Sequence, residues 1–285
     1  MTPRAWPGVL GLVALSWVGA ASGALLTSTP LATPAHRHKL TRALDEVSGL
    51  ATTADGRLLA HEDQRAIVYE LDPLSGDVAK RFALGRKLRG DFEGIAEVDG
   101  TVYLVTSTGK LVRGPEGADG EEVDYEVFET NVRERCHEIE GLAYEPNERL
   151  LLLACKRARG GTQDVLIFRW SLEREQLTEP VWRALPQSAL ALPGARGPFR
   201  PSGIARDPRS GHWLLLSAAP PALAELSADG ELLQVRALDG TRHRQPEGIT
   251  LAPDALWIAD EGAGKRARLA AYGLGKDQDK DKDKP

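Results

Sequence analysis

Three glutamates hold the same place in a recurring pattern. They are Glu93 in Asp91-Phe-Glu-Gly-Ile-Ala96, Glu140 in Glu138-Ile-Glu-Gly-Leu-Ala143 and Glu247 in Gln245-Pro-Glu-Gly-Ile-Thr250. Two further copies carry serine there, Ser48 before Gly49 and Ser202 before Gly203. If the fold gathers these positions, three carboxylates meet. At separations of about 6 Å and an effective dielectric of about 20, each pair repels by about 3 kcal/mol, and the three pairs by about 8. Protons, a lysine or arginine, or a bound cation would each relieve that repulsion. A cation accepting several oxygens relieves it most directly, and an all-oxygen set favours calcium over zinc. The competing reading is local: these side chains cap strand ends and hydrogen-bond the neighbouring backbone.

Two residues before those positions lie Glu46, Asp91, Glu138, Arg200 and Gln245. Side chains at i and i+2 of a strand share a face, so Glu46, Asp91 and Glu138 are expected at the rim of the same site. His61 and Asp260, at the ends of the apolar runs that follow, are expected there too. His61, beside Glu62 and Asp63, could act as a general base or be a plain hydrogen-bonded rim histidine. Basic residues gather on nearby loops, and Arg200 and Lys156 are the candidates to hold an anionic ligand over the cation. A solvated loop surface accounts for the same residues. There is no Gly-x-Ser-x-Gly elbow, phosphate-binding glycine loop or His-Glu-x-x-His helix, so no catalytic residue is assigned.

The elements that must position these groups follow from the spacing. Gly49, Gly94, Gly141, Gly203 and Gly248 are 45, 47, 62 and 45 residues apart, the length of a four-stranded propeller blade. Each is followed by a turn such as Asp55-Gly56, Asp99-Gly100 or Pro146-Asn147, and then by further apolar strands such as Thr101–Thr106 and Ile67–Leu71. Fourth strands end alike, in Arg81-Phe-Ala-Leu84, Trp182-Arg-Ala-Leu185 and Val235-Arg-Ala-Leu238. The long interval is read as a loop insertion over Pro186 to Arg200. The fifth repeat lacks a fourth strand, and Lys39-Leu-Thr-Arg-Ala-Leu44 matches the fourth-strand ending. The expectation is an all-β, five-bladed β-propeller whose N-terminal strand closes the last blade beside Leu269–Leu274, with the first strands lining the channel.

The ordered Ser/Glu-Gly-Leu/Ile-Ala series from Lys39 to Leu274, with its Asp91-Phe-Glu-Gly-Ile-Ala96 and Glu138-Ile-Glu-Gly-Leu-Ala-Tyr144 copies, resembles the bacterial SdiA-regulated family. That resemblance implies a five-bladed propeller distantly similar to NHL repeats, periplasmic or associated with the inner membrane. It further implies a calcium site with Glu93, Glu140 and Glu247 as ligands, and no established activity.

The rest of the chain sets the boundaries. The uncharged run from Ala5 to Leu26 is long enough to span a bilayer and ends in Ser22-Gly23-Ala24, a small-x-small pattern. It reads as a cleaved signal peptide or an uncleaved anchor. The expected layout is 1–26 signal or anchor, 27–37 linker, 38–275 propeller and 276–285 a disordered charged tail. Either way the domain lies in the periplasm or cell envelope, touching membrane only through that segment. A net charge of −5 offers no basic face to nucleic acid. Cys136 and Cys155 stand open between a disulfide and two separate thiols, because simple hairpin pairing sets Cys155 opposite Glu140. Two classes of function remain: a calcium-stabilised binder of a small molecule or envelope partner, and a calcium-dependent hydrolase of lactones or phosphoesters. Fold analogy alone carries the second.

Overall fold

The computed structural model describes residues 24–29 and 31–274. It shows five blades around a channel, antiparallel except where Glu122–Val123 adds in parallel to Val78–Leu84, the outer strand of blade one. The innermost strands are Val47–Thr52, Phe92–Val98, Cys136–Glu145, Pro201–Arg206 and Pro246–Leu251, so every glycine of the repeat lies on a channel strand. The blades pack face to face over buried Leu, Ile, Val and aromatic side chains, among them Leu59, Phe82, Phe168 and Trp213. Blade three carries two short outer strands, Gln176–Leu177 and Arg183–Leu185, on Val165–Ser171. The stretch after Leu185 is a loop, as its Pro/Gly/Arg composition predicts, and buried Leu190 and Phe199 anchor it.

The ring closes with the N-terminal segment, but not with the residues expected. The outer strand of blade five is His36–Lys39, paired antiparallel from His36↔Ala271 to Lys39↔Arg268. The Lys39–Leu44 stretch leaves the sheet: Arg42–Leu44 is a 3-10 turn, and Leu40 and Leu44 are fully buried under the blade. No residue of His36–Lys39 is buried, so this outer strand needs no apolar alternation, and burial of the two leucines outweighs the sequence match to other strand ends.

Two devices repeat in every blade. The first is the glycine: a Cβ on Gly94 would fall 2.6 Å from the Leu142 amide nitrogen, and one on Gly141 2.9 Å from that of Ile204. Neighbouring channel strands therefore approach closer than any side chain permits, which pinches the channel to a waist. The second is a β-bulge. Phe92 pairs with Thr106 and Gly94 with Val105, leaving Glu93 as an extra residue. The register slips at the same place in the other four blades, on Ser48, Glu140, Ser202 and Glu247. A bulge re-aims its side chain and breaks the two-residue alternation.

Bulging also settles the cysteines. The third blade's first strand slips between Cys136 and Glu138, between Glu138 and Ile139, and again before Leu142. That bend brings Cys136 and Cys155 to a Cα separation of 6.0 Å, and they form a disulfide. With the two cysteines 19 positions apart, the crosslink is worth about 3 kcal/mol through the unfolded chain. Cys136→Ser/Cys155→Ser should therefore melt roughly 6–12 °C below the parent protein. Matching melting curves, with reductant leaving the parent unmoved, would show that the bridge contributes nothing.

Candidate acidic channel site

Above the glycine waist the bulged positions face the channel. Ser48 Oγ donates to Glu93 Oε2 at 2.8 Å, and Ser202 Oγ donates to the Pro246 carbonyl at 2.6 Å. The serine copies thus do what the local reading describes, bonding the next blade. The glutamate copies do something else. Glu140 is almost fully buried, and Lys156 Nζ lies 3.0 Å from its Oε1 and 3.5 Å from Glu138 Oε1. Glu138 also meets Arg157 at 3.6 Å. Lys156, expected to reach an anionic ligand, instead turns its ammonium into the carboxylates. Arg200 is exposed and its amide is held by Ser217 Oγ at 3.1 Å.

Electrostatics binds these groups into one cluster. Burial pushes the Glu93 carboxyl far above its ordinary range, and the Glu140 charge pushes it further. Glu140 is raised by burial even against the pull of Lys156. Glu247 is pushed up to about 8 by burial, with Glu261 and Glu93 adding to the shift. Glu261 is raised by burial and by a shared hydrogen bond with Glu46, while Gln245 Nε2 donates to its Oε2. Asp63 is raised by burial, then by Glu46 and Asp91, and its Oδ1 is buried without a partner. At neutral pH the cluster holds protons that ordinary carboxylates release. Among the described residues no group of three His, Cys, Asp or Glu side chains is arranged so that it could hold a metal ion as it stands.

The expected rim is only partly a rim. Glu46 and Asp91 are exposed there and Glu138 is half-buried. His61 is not: its ring is fully buried, with Nε2 2.4 Å from where a Cβ of Gly49 would lie. Gly49 therefore makes room for the imidazole. Burial holds His61 down to about 4, and its Nε2 is unpartnered. A neutral base sealed in this way cannot reach a substrate in the channel. Asp260 is also buried, accepting from His243 Nδ1 at 2.9 Å, while His243 Nε2 accepts the Tyr272 hydroxyl at 2.5 Å. That relay ties the loop before blade five to its third strand. Glu261 follows the second strand of blade five as Asp63 follows that of blade one, the strand-end position from which the sequence places both at the mouth.

Below the waist lies a different surface. Leu50, Ile95, Leu142, Ile204 and Ile249 line a cavity of about 500 Å³ that opens at the opposite end. The channel is thus acidic above and aliphatic below.

Comparison with solved structures places this architecture among propellers. The Myxococcus xanthus glutaminyl cyclase is similar with a TM-score of 0.56 and 15% identity, over 84% of this chain and 94% of that one. A Streptomyces coelicolor aldose sugar dehydrogenase in its PQQ-bound form gives 0.51 and 12%, over 85% and 97%. A Staphylococcus aureus virginiamycin B lyase gives 0.45 and 14%, and the chain spans 66% of its length. At such identities the likeness is one of fold. No curated protein matches the sequence. The SdiA-regulated family pattern matches residues 31–263, spanning all five channel strands, and the chain belongs to the SdiA-regulated family.

Proposed function

We propose that this protein is an exported propeller that accepts a cation, calcium in the first instance, in its acidic channel mouth and there binds a small ligand or envelope partner. The observation that carries the reading is the convergence of Glu93, Glu140 and Glu247 on one mouth with a single ammonium, Lys156, among them. The donors are carboxylate oxygens, the chemistry calcium prefers. The place beside Glu140 is already taken by Lys156, so calcium competes with an ammonium and with protons. The disulfide suits an oxidising compartment, and the N-terminal apolar run supports periplasmic or envelope residence. Residues 5–23 of that run lie outside the described residues, among which no helix is long and apolar enough to cross a membrane. Burial of His61 leaves a channel glutamate as the proton carrier a hydrolase would need, and binding is the reading that requires no such step.

Calorimetry on EDTA-stripped protein tests this. Calcium at a hundredfold excess over its Kd should stabilise the fold by about 2.7 kcal/mol, with proton release. Lys156→Gln should tighten binding, and Glu140→Gln should weaken it. If millimolar calcium gives no heat, and Glu140→Gln raises the melting temperature regardless of calcium, the cluster is self-neutralised and the cation reading fails.

A further inference from the structure

Glu225 is a carboxylate with no exposure to solvent. It lies on Pro221–Leu226, the third strand of blade four, far along the chain from its principal partners. The Leu25 nitrogen lies 2.6 Å from Oε1 and the Leu26 nitrogen 2.9 Å from Oε2. His212 Nδ1 is 2.8 Å from Oε1, and Gln234 Nε2 donates to Oε2 at 2.9 Å. Around this knot Leu25, Leu26 and Leu31 are buried with Leu216, Leu223 and Tyr272. Arg236 Nη1 donates to the Leu26 and Thr29 carbonyls. Leu25 and Leu26, expected in the signal or anchor, and Thr29 and Leu31 of the expected linker are therefore packed into the domain. The docking begins where the Ser22-Gly23-Ala24 pattern ends.

These two observations coincide on one atom. We propose that the chain is processed between Ala24 and Leu25 by a signal-peptidase-class protease, and that Glu225 is the receptor for the α-ammonium group so created. Hydrolysis breaks the Ala24–Leu25 C–N bond. Water supplies the second oxygen of the Ala24 carboxylate, and the Leu25 nitrogen takes up protons to become an ammonium. That nitrogen already lies at hydrogen-bond distance from Oε1, so the cation forms beside a buried carboxylate whose other partners are one backbone amide, a side-chain amide and one imidazole. An ammonium–carboxylate ion pair replaces an amide–carboxylate hydrogen bond, and the buried carboxylate gains a counter-ion. Cleavage precedes folding, because the folded domain seals the Leu25 nitrogen. Processing rests on the export reading; the pairing with Glu225 does not, and the two are tested apart.

Two chains released from a cleavable fusion separate the possibilities, one starting at Leu25 and the other at Ser22. The Ser22 chain keeps a neutral Leu25 amide and the Ala24 carbonyl, which accepts from the Thr27 nitrogen at 3.1 Å, whereas the Leu25 chain exchanges both for an ammonium. The Leu25 chain should melt several degrees higher, and its α-amine should resist acylation at neutral pH while that of the Ser22 chain reacts. Glu225→Gln should erase the difference. Should that variant fail to fold, acetylating the Leu25 nitrogen before refolding serves instead and should match the Ser22 chain. Equal melting temperatures, or a freely acylated Leu25 amine, would overturn the receptor. The exported protein should show an intact mass that starts at Leu25; a mass starting elsewhere would overturn the processing site.

Discussion

A chain beginning at Leu40 should lose its cooperative unfolding transition, whereas one ending at Gly275 should melt like the full protein. The first truncation removes His36–Lys39, leaving Arg268–Gly273 as an open edge. It also removes Leu25, Leu26 and Leu31, all buried in the core shared by blades four and five. Three buried leucines contribute about 5–9 kcal/mol, which rivals the whole stability of an ordinary domain. The newly bared edge and the vacated apolar surface would also promote self-association. The second truncation removes only Lys, Asp, Gln and Pro. Thermal melts followed by circular dichroism, with dye binding to exposed apolar surface, decide the matter. Similar transitions for both truncations would remove ring closure by the N-terminus as a source of stability.

The architecture was legible because the propeller writes its period into the sequence through glycine. At four waist positions a Cβ would meet the backbone of the next channel strand, and at Gly49 it would meet the His61 ring, so only glycine fits and five glycines mark five channel strands. The site was legible in its three principal glutamates but not in its geometry. Alternation predicts that residues two apart share a face, and that rule fails across a bulge, which lies at Ser48, Glu93, Glu140, Ser202 and Glu247 alike. His61 was placed at the rim from its position at a strand end. The space that takes its ring inward comes from the absent side chain of Gly49, on the paired strand. The closing strand was placed too late because His36-Arg-His-Lys39 has no apolar alternation to reveal it. Glu225 and Leu25 are 200 residues apart, and nothing local to either announces the pair.

In EDTA the protein should lose stability as pH rises from 6.5 to 8. Glu93, Glu140 and Glu247 keep protons in the folded chain that the unfolded chain releases near pH 4.5. Groups raised by folding stabilise below their unfolded value, and that stability drains away until pH passes their folded value. For Glu247 the drain continues to about 8. Asp63, Glu62 and Glu261 are raised as well and act in the same direction. Lys156 is raised too, but from an ordinary value near 10.5, so it stays charged throughout this window. His61 opposes them, since burial holds it down to about 4. Its contribution grows with pH up to the ordinary histidine value and is complete above about 6.5, which is why the window starts there. Each carboxyl that keeps its proton costs about 1.4 kcal/mol per pH unit, hence about 2 kcal/mol across the window. Glu247→Gln should therefore match the parent near pH 5 and exceed it at pH 8. Saturating calcium should flatten the parent's slope, because a coordinated carboxylate no longer needs its proton. A parent protein that grows more stable from pH 6.5 to 8 without metal would mean that the three glutamates are ionised throughout, with Lys156 and solvent sufficient to hold their charge.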